Sequence, residues 1–465
     1  MWGWLTVSGI MLIGLGPALV IAATPLSDAS SGAWVWAWLL TVVVGARYAW
    51  LVAAAPQRLF EIVVWLFTYV FLGLAPLAQM RSGRYPGTTP DLDTSLNGAT
   101  TGVVWLGAAA FALGLALRPP KPSSRPAAPP SEVSTHRLLG FTALALVLAA
   151  YYASRVGVGP LFSTREERVD VENIVWGNPT VLAVVKAAAT LPLVVAFSGL
   201  MRLRRQRRAT GGRQPLLLPG LVLAVMAVTV SPVSSPRYLF GTAALAVLVA
   251  LGAASTAARA RWLALLLAAG LVLVFPYADL TRRPGESGGA QPGPAQALSS
   301  SDFDAFDMVN NTLAFVQAEG TTGGRQALGA ALFWVPRAVW EDKPRDTGIL
   351  LAAFRDYSVS NLSSPLWAEL FIDGGWVLVA VGMVGLGIFV RRLDRHAGTG
   401  GDATVQRGVL ADILPFYFII MLRGSLLQSM AGFTVLALSS LVVTARSPGP
   451  AVADGTAAPL RAPQP

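Results

Sequence analysis

The residues best equipped for chemistry lie in two runs, FWVPRAVWEDKPRDTG at 333–348 and SSPLWAELFIDGGWVLV at 363–379. The first gathers Arg337, Asp342, Lys343 and Arg345 around two prolines and two tryptophans. Tryptophan marks the headgroup level of a bilayer. Basic groups held there by a proline-stiffened turn suit a diphosphate, and a lipid-headgroup anchor is the plainer role for the same pattern. In the second run Glu369 and Asp373 are four residues apart and share one helix face. Carboxylates at a membrane edge are unfavourable unless they face protein or water. One of them is a candidate general base or the partner of a loop arginine, and the two roles are compatible.

Further cations approach from other segments. Arg237 stands in SSPRYLFGT, Arg165 and Arg168 in GPLFSTREERVDVEN, and Arg423 interrupts FYFIIMLRGSLLQSM. Four acids surround Arg165 and Arg168, so a self-satisfied ion cluster is the competing reading there. Lys186 lies about two helical turns from a span end and can snorkel outward, while Arg47 snorkels the other way. Arginine is permanently charged and grips phosphate oxygens in pairs. Arginines from several elements at one face therefore point to a lipid diphosphate headgroup, with Lys343, Arg345, Arg165, Arg168, Arg423, Lys186, Asp342 and Asp373 as its binding set. No Ser/His/Asp arrangement or Walker loop competes. The chain has no cysteine and only His136 and His396, so no disulfide, zinc–thiolate site or histidine metal centre is expected.

These residues are positioned by membrane helices. The chain has 465 residues, 54% hydrophobic and 13% charged, against roughly 25% charged in soluble domains. Its apolar blocks run to roughly 17–23 residues, the length of a spanning helix. The fold class is all-α, a polytopic membrane protein with about 12 transmembrane helices. They start near Trp2, Trp34, Leu59, Ala99, Leu138, Thr180, Leu216, Tyr238, Trp262, Trp367, Val409 and Ala431. The first block lacks a basic leader and reads as a retained span.

With both termini cytoplasmic, 19 of the 35 Lys and Arg fall inside and 14 outside, with Arg47 and Lys186 within spans. RLRRQRR at 202–208 is the clearest inside marker. The acids concentrate on the other side. The basic balance is thus a topology signal and gives no support to nucleic-acid binding. Residues 1–446 form one membrane domain, with a Pro/Ser/Ala-rich linker at 118–137 and a disordered tail at 447–465.

The large extracytoplasmic loop, 280–366, is too long for a plain connector. It opens on a Gly/Pro stretch, then reads SSSDFDAFDMVNNTLAFVQAEG, with apolar residues at helical spacing. Asp302, Asp304 and Asp307 sit in the first turns, where the helix dipole favours anions, with Ser301 as cap. This predicts an amphipathic helix on the outer membrane face; packing on the bundle with no chemistry of its own is the alternative. GGRQALGAALFWV predicts a second short helix, stopped by Pro336.

The pattern resembles bacterial O-antigen (oligosaccharide repeat unit) polymerases of the Wzy type. The resemblance is sharpest over SPRYLFGT and from ALFWVPRAVWEDKPRDTG through SPLWAELFIDGGW. Such polymerases carry arginines in two periplasmic loops, each followed by glycine with ten residues between. Arg337 and Gly348 match that spacing, whereas Arg165 and Gly177 have eleven residues between them. The resemblance implies a metal-independent glycosyltransferase without cofactor, acting on undecaprenyl-diphosphate-linked oligosaccharides as donor and acceptor. It also implies membrane lipids, a chain-length regulator and a flippase as partners. Within it, Arg337 and Arg237, with Lys343, would stabilise charge building on the leaving diphosphate. Glu369 would be the base, with Asp342 second.

Two other classes remain in view. An O-antigen ligase-like transferase uses a loop histidine beside arginines, and both histidines here map to the cytoplasmic side. A lipid-linked oligosaccharide flippase or other transporter needs polar groups along a path through the midplane, whereas most charges here stay at helix ends.

Overall fold

The structure is a computed structural model that describes residues 1–117, 131–212, 215–274, 297–360, 362–398 and 408–446. The start of the linker at 118–130, the Gly/Pro opening of the large loop and the tail at 447–465 lie outside them. The described chain is helical apart from one antiparallel ribbon, Ser131–Val133 on Thr444–Arg446. By length and composition eight helical stretches could cross a membrane: Trp2–Ala23, Trp34–Ala54, Leu59–Ser82, Thr94–Ala116, Thr135–Val156, Val181–Ala209, Leu426–Val443, and Leu366–Arg395, which a glycine turn divides. The other expected spans are shorter helices: Leu217–Thr229, Arg237–Leu251, Ala257–Ala269 extended by a π-helical Gly270–Val274, and Val409–Arg423.

The Leu59–Ser82 helix is the axis of the bundle. Every residue from Leu59 to Arg81 is buried. An apolar helix can be covered by lipid or by protein; here neighbouring segments cover every face, and its polar Glu61, Gln79 and Arg81 find partners within them. Around it, glycine lets helices approach backbone to backbone. A Cβ on Gly114 would sit 2.2 Å from the Val384 carbonyl, and one on Gly387 2.4 Å from that of Phe111.

Helix ends gather at two poles. One pole collects the loops 83–96, 157–178, 230–236 and the described residues of the large loop, 297–360 and 362–365. The opposite pole collects Arg47, Glu61, Leu115, Arg202, Arg391, Asp394 and Asp412, through the Arg47–Glu61 pair, the Arg202–Asp412 pair at 2.9 Å and Asp394 on the Glu61 amide at 3.0 Å.

The expected span beginning near Trp367 is two helices, and this corrects the sequence reading. Gly374 and Gly375 break the Leu366–Gly398 stretch, and Gly375 has φ +58° and ψ −149°, a region open only to glycine. The segments fold back on each other, because a Cβ on Gly382 would meet the Leu370 side chain at 2.6 Å. In a straight helix those residues stand about 18 Å apart. The Trp367 indole donates to the Val104 carbonyl at 3.3 Å, while Trp376 lies against Gly102. Trp367 is thus deeper in the bundle than Trp376. Segment 366–373 climbs toward the pole, the chain turns at the glycines, and 376–398 descends.

The amphipathic helix is Ala305–Glu319, but it does not lie on a membrane face. Ala305 to Leu313 are all buried. Polar side chains clamp it under the 83–96 loop: Thr89 donates to Asp307 at 2.8 Å, and Asn310 to the Asp93 carbonyl at 3.0 Å and to Asn97 at 3.2 Å. It forms an internal cap over the bundle.

Candidate functional site

At this capped pole two arginines meet two aspartates. Arg237, the first residue of its helix, pairs with Asp302. Arg423, the last residue of its helix, pairs with Asp304 at 3.1 Å and donates to the Asp302 carbonyl at 3.1 Å. The Tyr238 ring lies 4.9 Å beneath the Arg423 guanidinium. Ser363 donates its hydroxyl to Asp304 at 2.7 Å. Asp302 and Asp304 therefore serve as counter-ions across the fold. No cap hydrogen bond is made by the side chain of Asp304.

The arginine pair adjoins a buried carboxyl pair. The Ser364 amide donates to the Arg423 carbonyl at 3.1 Å. Five residues on, Glu369 is 4% exposed. It accepts from the Thr347 hydroxyl at 2.9 Å and from the Leu426 amide at 3.3 Å. Asp346, 5% exposed, precedes Thr347 and caps the Thr347–Phe354 helix by accepting from Gly348 at 2.9 Å. Burial pushes its carboxyl above the usual range, opposed by hydrogen bonds from Ser425, the Gly348 and Ile349 amides and Gln428. The Ser364 and Ser425 hydroxyls are buried against these carboxyls, Ser425 beside both Asp346 and Glu369 and Ser364 beside Glu369. Hydroxyls already turned to a carboxyl pair can relay a hydrogen bond to an incoming hydroxyl. Gly348 belongs here for steric reasons, since a Cβ would stand 2.3 Å from the Leu362 carbonyl.

The run 333–348 behaves differently from expectation. Arg337 is exposed and donates to the carbonyls of Lys343 at 2.6 Å and Pro344 at 3.1 Å. The Lys343 ammonium donates to the carbonyls of Phe333 and Val335 at 2.6 and 2.9 Å. Burial and the neighbouring Arg337 both lower its pKa. These two cations tie the loop to itself, whereas Arg345 is exposed. The exposed Asp342 contributes its backbone carbonyl to Arg325 at 3.0 Å.

Asp373 is a structural cap. Its carboxylate takes the amides of Gln326 at 3.0 Å and Ala327 at 2.7 Å, together with the Thr322 hydroxyl. It thereby starts the Arg325–Ala331 helix and does not face the cluster as Glu369 does. Arg168 is likewise enclosed, at 2% exposed. It binds Glu172 at 2.9 Å, Ser234 at 2.9 Å, Ser235 at 3.0 Å, the Thr229 carbonyl at 3.0 Å and the Tyr152 hydroxyl. Lys186 closes this network on Glu172 at 2.6 Å. Arg168 and Lys186 are thus internal ties, and the former fixes the two serines that lead into Arg237. Arg165 is exposed on the same helix, and Gly177 ends that helix in the left-handed conformation at φ +61°.

The structure thus joins Arg237 and Arg423 through Asp302 and Asp304, sets Glu369 beside them by way of backbone hydrogen bonds at Ser364 and Leu426, and leaves Arg337, Lys343 and Arg345 on the loop outside. Sequence reasoning singled out none of Asp346, Thr347, Ser364 and Ser425, although the first three lie within the two runs and Ser425 two residues after Arg423. Among the described residues no group of three His, Cys, Asp or Glu side chains could hold a metal ion. Comparison with protein-family models, curated proteins and solved structures finds no match for this chain.

Proposed function

We propose that the chain is a twelve-span membrane glycosyltransferase with cytoplasmic termini. In this reading it polymerises oligosaccharide units carried on a polyprenyl diphosphate at the outer face of the cell membrane. The reading is carried by one observation: a buried carboxylate, Glu369, and an arginine pair lie at the same capped pole, linked through the Ser364 amide on the Arg423 carbonyl and the Leu426 amide on Glu369. Supporting it, the buried charged groups among the described residues cluster at the two poles and form no polar column along the apolar central helix, which favours an enzyme over a transporter.

The acceptor hydroxyl enters the polar nest of Ser364, Ser425 and Thr347 and gives its proton to Glu369. Its oxygen forms the new bond to the anomeric carbon of the donor glycan. The anomeric C–O bond to the diphosphate breaks, and the leaving lipid diphosphate keeps the electron pair. Arg423 and Arg237 meet the growing negative charge, exchanging Asp304 and Asp302 for phosphate oxygens. An electrostatic contact aimed at developing charge acts most strongly in the transition state. Arg345 guides the headgroup inward, and Arg337 and Lys343 hold the loop that carries it.

The test is reconstitution in proteoliposomes with polyprenyl-diphosphate oligosaccharide, scored by glycan length. Glu369→Gln and Arg423→Lys should each lower polymer formation by about 100-fold or more, with the protein still inserted and monodisperse. Wild-type chain length in either variant overturns the assignment.

A further inference from the structure

The opposite pole carries a second arginine site. A cavity of about 500 Å³ lies between the ends of five helical segments and is lined by Arg47, Arg58, Glu61, Arg261, Arg391, Asp394 and Arg395, among others. Its five arginines face two carboxylates, a formal excess of three positive charges.

Both carboxylates are already engaged. Asp394 accepts from the backbone amides of Phe60 at 3.1 Å and Glu61 at 3.0 Å, capping the central helix from a distant part of the chain. Glu61 takes Arg47 on one oxygen and Arg58 at 3.4 Å on the other. Arg391 reaches the carbonyls of Leu115 and Leu117. Arg261 donates to the Ala53 carbonyl at 3.1 Å, while its Nε is buried without a hydrogen-bond partner. Arg395 is exposed at the rim. The pocket is thus a concave basic surface built by groups far apart in sequence, with its acids turned to internal contacts.

We infer that this pocket binds a phosphate group. Several guanidinium groups around one cavity match the charge and the paired oxygens of a phosphate. Tryptophans at the same level favour a lipid headgroup as its source. Trp50 lies 4.4 Å from Arg47 and 5.8 Å from Arg58, and Arg261 lies 5.8 Å from Trp4. Trp4 in turn packs edge-on against Trp262, which is 58% exposed. Indole rings at helix ends sit in the interfacial layer of a bilayer, and basic pockets between membrane helices receive anionic headgroups from that layer. A soluble diphosphate offers the same chemistry from the aqueous side. The site is separate from the arginine–carboxyl cluster, so occupancy here needs no turnover there.

The experiment places the full chain in nanodiscs of phosphatidylcholine with or without phosphatidylglycerol, and counts retained lipids by native mass spectrometry. A second arm titrates inorganic pyrophosphate against the protein in phosphatidylcholine alone, read by a shift in thermal unfolding. Preferential retention of phosphatidylglycerol, reduced about tenfold in Arg58→Gln/Arg391→Gln/Arg395→Gln and weakened by salt, supports the site with a lipid source. Protection by pyrophosphate lost in the same variant, without lipid preference, supports it with a soluble source. Arg395→Gln alone changes one exposed side chain and controls for misfolding; it should weaken binding several-fold with unchanged thermal stability. Equal lipid retention in wild type and both variants, with no pyrophosphate response, overturns the inference.

Discussion

Glu369 and Asp373 show how far residue type constrains role. They share a helix and the same 4% exposure, yet one faces Thr347 and the Leu426 amide, and the other caps a neighbouring helix. Arg165 and Arg168 divide in the same way. Arg168 lies in a closed buried network, so Arg168→Ala takes the donor from Ser234, Ser235 and the Thr229 carbonyl, leaves Glu172 to Lys186 and Tyr152, and should lower stability by about 3 kcal/mol. Arg165→Ala, at an exposed position, should stay within about 0.5 kcal/mol. Thermal unfolding in detergent separates the two. Asp307 supplies a pH test. Burial holds its carboxyl well above the ordinary value, opposed by the Thr89 hydrogen bond and reinforced by Asp304. A raised native value means that the folded state holds the proton more tightly. Its stabilising contribution is complete below the ordinary carboxylate range and is lost as pH rises through the native value. Asp307→Asn should remove that decline, so its unfolding midpoint should gain on the wild type as pH increases. Parallel curves for the two proteins would contradict this assignment.

At the scale of elements, the turn at Gly374–Gly375 decides where Glu369 stands. It lets 366–373 fold back along 376–398 and brings the Glu369 carboxylate to the Leu426 amide. The φ of +58° with ψ of −149° at Gly375 makes alanine strained by about 1–3 kcal/mol. Gly375→Ala should therefore lower the unfolding temperature and polymer formation together, although residue 375 is not among the groups that contact the reacting carboxylate. Normal polymer formation in a destabilised Gly375→Ala protein would mean that the turn does not position Glu369. The GG pair was visible in the sequence, but a continuous apolar run reads as one helix when only composition and length are considered. The cap helix was legible as a helix from its spacing. Its burial was not, because its polar residues find partners more than 200 positions away, in Thr89 and Asn97.

For the whole molecule, the alternation of helix ends between two poles yields a topology that can be tested directly. The chain has no cysteine, so single introduced thiols report without background. Arg345→Cys, at the capped pole, should react with a membrane-impermeant maleimide in intact cells. Thr210→Cys, at the opposite pole, should react only after permeabilisation. Labelling of both from outside would overturn the proposed twelve-span arrangement and the proposed outer-face placement of the candidate site.

The sequence by itself determined the properties that depend on near neighbours: the helical class, the segment starts, the confinement of charge to segment ends and the absence of thiol chemistry. Each follows from apolar run length and local composition, which act within a few turns of helix. Only the tertiary structure decided which arginine meets which carboxylate. Arg237 and Asp302, Arg423 and Asp304, and Asp394 and the Glu61 amide are joined across 65, 119 and 333 positions. A charged group in a low-dielectric bundle takes whichever partner the packing of whole helices brings within reach, and no local pattern encodes that choice.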